Sequence, residues 1–174
     1  FKGTTSASLC DYCVIEYGGA DSNNANLRIA SSTPTMTNST IRFSDGYGLF
    51  VTGTNVKPAL TNNIFDNNGG YPLHIEIANF PTTFTGNTYT TNGTQAIELV
   101  GGSVGIDLTL PNEGLPYHVV TNSITVNSVQ FLGNRTLTVS PGVTLKFAAN
   151  TGLTLGYGSD GSAAGTLVAQ GTAT

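Results

Sequence analysis

Charge is what this sequence has least of. Only 9% of its 174 residues are Asp, Glu, Lys or Arg, where a globular chain carries about a quarter. Disorder needs charge, and a helical bundle needs ion-paired surfaces, so both are disfavoured. Basic residues are scarcest: six Lys and Arg face ten Asp and Glu, for a net charge of −4. No basic stripe exists to neutralise phosphates, so nucleic acid is not an expected partner. No apolar run reaches the roughly 18 residues that cross a bilayer as a helix. The first residues, "FKGTTSAS", hold neither an initiating Met nor a signal peptide, which reads as a processed form or an excised piece.

What is abundant is glycine, 22 residues, with threonine and asparagine. These residues disfavour helix interiors and favour turns and strands. Few Lys with much Thr, Asn and Gly is also the surface of an exported protein, and an extracellular or cell-surface location is expected.

One phrase recurs without a gap. "TNSTIRFSDGYGLFV" (37–51) returns 24 residues later as "TNNIFDNNGGYPLHI" and again as "TGNTYTTNGTQAIEL". Residue kind is repeated more than identity. Met36, Leu60 and Phe84 align, as do Ile41, Phe65 and Tyr89, then Leu49, Leu73 and Ile97, then Val51, Ile75 and Leu99. A fixed period of this length marks a repeat architecture. Inside each copy, two apolar-alternating stretches flank turn residues, the pattern of strands with one buried face. Strands without crossover helices must stack on their own copies, because one copy cannot bury its apolar side. The simplest solution is an all-β parallel β-helix whose coil is one repeat of 24 residues. Equivalent residues then stand about 4.8 Å apart on successive coils.

The ladders follow. Thr37, Thr61 and Thr85 form one; Ser44, Asn68 and Asn92 form another at a bend, where amides bond coil to coil. Tyr47 stacks with Tyr71, and Arg42 lies over Asp66. Gly46 and Gly70 mark the bend and are expected at positive φ. Pro34, Pro58 and Pro81 sit between strands. An earlier coil fits with looser spacing: Ile15 over Ile41, Tyr17 over Phe43, and "NLRIASSTP" in the place of "GLFVTGTNVKP". Residues 1–104 therefore read as β-helix coils, about four of them. Residues 105–122, with "GIDLTLPNEGLPYHVV", read as a transition, and 123–174 as a short-strand segment with an open end. In that segment Leu137, Val139, Val143, Leu145, Phe147, Leu153, Leu155 and Leu167 are expected to face inward, between turns at 140–142 and 157–165.

"LCDYCVIEYGG", followed by Asn-rich repeats of the "PTMTNSTIRFSDGYGLFV" type, resembles bacterial secreted right-handed parallel β-helix repeat proteins. "LTVSPGVTLKFAANTGLTLG" with "GTLVAQGTAT" resembles the same family, where such a segment usually precedes the Asn-rich coils; here the order is reversed. The resemblance implies a fold and a surface habitat, and fold does not give function.

Chemistry is sparse. Polysaccharide lyases and hydrolases on this fold need clustered carboxylates and bases on one outer face. The best cluster is Phe50, His74 and Glu98, in register and pointing outward with Glu76 nearby. Its bland reading is a solvated face with one weak His–Glu pair. His118 lies in the transition with no acidic partner in phase. No carboxylate pair recurs at 24 residues, so no calcium ladder, no metal and no cofactor are expected, and no catalytic residue is assigned. A Thr face for ice binding is broken by Phe50, His74 and Glu98. Cys10 and Cys13 form a lone CxxC: Cys10 takes the inward Met36 position, a small apolar core residue, while Cys13 aligns with Ser39 and leaves a local disulfide open. Asn38, Asn92 and Asn134 head N-x-S/T patterns.

The expected function is structural and non-enzymatic: an extracellular solenoid module of a surface fibre or filament, assembling head to tail with copies of itself, or part of an adhesin. The alternative is a carbohydrate-binding or carbohydrate-cleaving domain, with glycans held at Phe50, His74 and Glu98.

Overall fold

The structure, a computed structural model, describes residues 8–20, 24–127, 134–156 and 164–171. The first coil carries β1 (Leu9–Asp11), β2 (Val14–Glu16) and β3 (Ala25–Ala30); the second, β4 (Thr35–Thr37), β5 (Thr40–Arg42) and β6 (Tyr47–Thr52). The third carries β7 (Ala59–Thr61), β8 (Ile64–Asp66) and β9 (Leu73–Glu76), then a 3-10 turn at Ile77–Asn79. The fourth carries β10 (Thr83–Thr85), β11 (Thr88–Thr90) and β12 (Ile97–Val104). Beyond it follow β13 (Leu108–Leu110), β14 (Tyr117–Val126), β15 (Arg135–Val139), β16 (Leu145–Phe147), β17 (Leu153–Leu155) and β18 (Gly165–Ala169).

Each strand pairs in parallel with its counterpart one coil away, which makes an all-β parallel solenoid of about 5 turns. Two four-stranded sheets run β1-β4-β7-β10 and β2-β5-β8-β11. The widest sheet runs β3-β6-β9-β12-β14-β16, with β17 also on β14, and a smaller one joins β13, β15 and β18. The expected ladders are the observed register: Met36 on Leu60 on Phe84, Leu49 on Leu73 on Ile97, and Val51 on Ile75 on Leu99. These side chains fill the lumen, and most are wholly buried.

Turn chemistry shapes the coil. A left-handed residue recurs at Tyr12, Asn38, Asn62 and Gly86, and another at Tyr17, Phe43, Asn67 and Thr91. Directly after each of these columns an internal amide ladder climbs the solenoid. In the expected one, Ser44 N–H donates to Asn68 Oδ1, and Asn68 N–H to Asn92 Oδ1. The second, unforeseen, runs Ser39, Asn63, Asn87: Ser39 N–H donates to Asn63 Oδ1 at 3.1 Å and Asn63 N–H to Asn87 Oδ1 at 3.0 Å. Glu113 ends it, accepting from the Asn87 backbone, the Asn87 amide and the Tyr89 hydroxyl.

Several expectations are corrected. Gly46 and Gly70 are not at positive φ; Phe43, Asn67 and Thr91 carry the left-handed turn. Glycine is needed at 46 for room instead, since a Cβ there would collide with Asn24. Arg42 does lie in register with Asp66, but its guanidinium bonds Glu16 on the coil below, at 2.6 Å. Residues 105–122 hold β13 and most of β14, which pairs with β12, so this segment is a coil in the stack. Phe147 and Leu155 stand over the buried Val119 and Val126, facing the lumen as expected, yet are 39% and 46% exposed. The reason is position: β16 and β17 pair only with β14, and no described strand covers them. The expected turn at 157–165 lies mostly outside the described residues, as does the end of the expected strand at 123–131 from residue 128 on.

Candidate functional site

The outer face of the widest sheet carries one column of functional side chains. Register places Arg28, Phe50, His74, Glu98, His118 and Lys146 in line on six successive strands. The three sequence candidates are together, as expected. Their surroundings differ from the expectation, because His74 and Glu98 are 8% and 6% exposed rather than solvated. Tyr47 and Tyr71 cover them. The short turns before β6 and β9 put both tyrosines on the outer side at adjacent coils, and their rings stack at 6.3 Å.

Geometry shows how each group is used. The Phe50 ring lies flat on His74, with centroids 3.9 Å apart and planes within 4°. His74 Nδ1 is 2.7 Å from Glu98 Oε1. The Tyr47 hydroxyl donates to both Glu98 oxygens, at 3.4 and 3.3 Å, from two coils away. Burial, and then the Glu98 charge, push the Tyr47 phenol up to about 12. Burial and Glu98 likewise raise Tyr71. Tyr71 shares a hydrogen bond of 2.8 Å with His118 Nδ1, again two coils away. This corrects the reading of His118 as unpartnered: it sits in register on Glu98. Glu76 is bound as well, accepting from the Thr52 hydroxyl and the Asn79 amide.

Chemically the column is a polar clasp. Glu98 is satisfied by His74 and Tyr47, and one face of Phe50 is taken by His74. The cost of burying the carboxylate is offset by these bonds. Sequence spacing found three members; Tyr47, Tyr71 and His118 were missed as partners because their contacts skip a coil, which register alone does not reveal. Two clefts lie elsewhere, of about 220 and about 350 Å3. Lys57, Ile106 and Leu108 line both, and neither includes Phe50, His74 or Glu98. Burial lowers the Lys57 ammonium.

Cys10 and Cys13 are free thiols in this structure, Cys10 buried in the lumen and Cys13 half-buried. Among the described residues, no three His, Cys, Asp or Glu side chains gather as metal ligands would. No described helix is long and apolar enough to cross a membrane.

No curated protein and no solved structure matches the chain. A family does: the one described as right-handed beta helix region matches residues 4–110. The coils continue past that segment, since β14 pairs with β12 and carries β16 and β17 in turn. With more than half its length matched and its strands stacked coil on coil, the chain belongs to the right-handed β-helix family.

Proposed function

We propose that this chain is a non-enzymatic structural solenoid of the bacterial cell surface or extracellular space, a unit of a fibre, filament or adhesin. The location rests on composition and on the resemblance to secreted repeat proteins. The structural role rests on one observation above others: Phe147 and Leu155 face the lumen, yet stand exposed on strands that, among the described residues, pair on one side only. An unpaired strand edge over exposed apolar groups is a template for another strand. The opposite edge of the same sheet is β3, which among the described residues also pairs on one side only, with β6. A contact joining two such different edges is heterologous and propagates as a filament unless rotation closes a ring.

The clasp supports a non-catalytic reading, because the groups best suited to acid–base work hydrogen-bond one another under two tyrosines. A glycan partner at Phe50, His74 and Glu98 has less support, since two of the three are buried.

Sedimentation across a concentration series, with electron microscopy of the same samples, tests the proposal. The intact chain is expected to grow into elongated assemblies, and the Phe147→Asp/Leu155→Asp chain to remain monomeric. An intact chain that sediments as a monomer at every concentration removes the self-assembly reading. Depolymerisation of an acidic polysaccharide, lost in Glu98→Gln, removes the non-enzymatic one.

A further inference from the structure

Two columns of side chains turn inward at the same corner of the coil. One is Cys10, Met36, Leu60 and Phe84; the other is Cys13, Ser39, Asn63 and Asn87. In the second column each polar side chain reaches back to a carbonyl of the coil before. Asn87 Nδ2 donates to Leu60 O, Asn63 Nδ2 to Met36 O, and the Ser39 hydroxyl to Cys10 O. Cys13 heads the column, and no described coil lies below it to receive such a bond. Its thiol turns to its own coil instead, lying 3.7 Å from Asp11 O. The left-handed Tyr12, at φ 52°, folds the chain between the two cysteines. Ser39 Oγ holds both ends of the turn, accepting from Cys13 N–H at 3.0 Å and lying 3.6 Å from Cys10 Sγ.

We propose that Cys10 and Cys13 are a redox-active dithiol that a low-molecular-weight disulfide closes into a disulfide within the first coil. Access orders the steps. Cys13 is half-buried and Cys10 buried, so an oxidant RSSR meets Cys13 first. The Cys13 thiolate attacks one sulfur of RSSR, breaking its S–S bond and releasing RS⁻. Cys10 then gives up its proton and attacks the Cys13 sulfur, releasing the second RS⁻. Two protein thiols lose two electrons, one RSSR gains them, and the two thiol protons leave on two RSH. Burial and the neighbouring Cys13 thiol raise the Cys10 pKa, which disfavours Cys10 as the first nucleophile. The bond would close the turn joining β1 and β2, strands that among the described residues each pair on one side only, with β4 and β5. Such an edge is where local opening starts.

Incubation of the full chain with oxidised glutathione, against a dithiothreitol control, tests this by intact mass, alkylation and amide exchange. The expected product is lighter by two hydrogens, carries no glutathione, leaves neither cysteine open to alkylation and slows exchange across residues 9–16. The Cys10→Ser chain should instead retain glutathione on Cys13. A stable glutathione adduct on the unsubstituted chain, a covalent dimer through Cys13, or two cysteines that still alkylate would overturn the proposal. The measurement on the unsubstituted chain decides it even where a variant fails to fold, and it is independent of whether the chain assembles.

Discussion

At Thr91 a β-branched residue sits at φ 53°, in the left-handed region that L side chains avoid. Its column mates are Tyr17, Phe43 and Asn67, and only Asn is suited to this conformation. The coil imposes the angle because the chain must turn between its second and third strands at every level. Backbone bonds hold it there: Asn67 N–H donates to Thr90 O, and Phe43 N–H to Asp66 O. Strain of this kind persists only where the surroundings over-determine the backbone. Thr91 is exposed, so a change there disturbs little else. Thr91→Asn is expected to stabilise the chain by about 1 kcal/mol, read as a higher denaturant midpoint with an unchanged slope. A lower midpoint would show that the Thr91 side chain contributes more than its backbone angle removes.

Strands of three residues are too short to stand alone, and the amide ladders show what supplements them. Asn63 is wholly buried. It accepts from Ser39 N–H, and its amide donates to Met36 O and Asn87 Oδ1, so it joins three successive coils. Leucine has the same branched outline and number of heavy atoms, is bulkier, and makes none of its side-chain bonds. Asn63→Leu would leave the Ser39 N–H and the Met36 carbonyl buried without those partners, which costs roughly 2–5 kcal/mol for the two groups. The expected result is a lowered denaturant midpoint at constant slope, with loss of exchange protection centred on the second and third coils. Protection lost evenly along the solenoid would mean that the coils do not open locally. The ladder was readable in the sequence as Ser39, Asn63 and Asn87 at the 24-residue interval, yet only the Ser44, Asn68, Asn92 set was singled out. Its end at Glu113 was beyond reach, because the segment holding Glu113 breaks the period.

Over the whole molecule, tyrosines couple stability to pH. Tyr47, Tyr71, Tyr89 and Tyr117 are all raised, each chiefly by burial, and Tyr47 reaches about 12. In the unfolded chain a tyrosine loses its proton near pH 10. A group raised on folding contributes stability that is fully present below its unfolded pKa and is lost as pH climbs through the folded one. The thermal midpoint is therefore expected to hold up to about pH 10 and fall steeply between about 10 and 12. A midpoint that stays level across that window would mean that these hydroxyls are reached by solvent. The Tyr47 share can be isolated by Glu98→Gln, which removes the charge that adds to burial and should shift the onset of Tyr47 ionisation downward.

The sequence by itself determined the solenoid. Stacking at one interval makes residues 24 apart neighbours, so the lumen ladders, the coil length and the parallel pairing are properties of linear spacing. It placed Phe50, His74 and Glu98 in one column for the same reason. Only the tertiary structure decided what that column is, since Tyr47 to Glu98 and Tyr71 to His118 each pass over an intervening coil. Register carries no information about how far a side chain leans along the solenoid axis, so a face that reads as solvated was closed by two rings. The same limit applies at Arg42, where spacing offered Asp66 above, and side-chain packing chose Glu16 on the coil below. Burial at the last described coil was likewise hidden. Alternation says which way Phe147 and Leu155 point, while their exposure depends on whether another strand lies over them, which is a property of the stack and not of the strand.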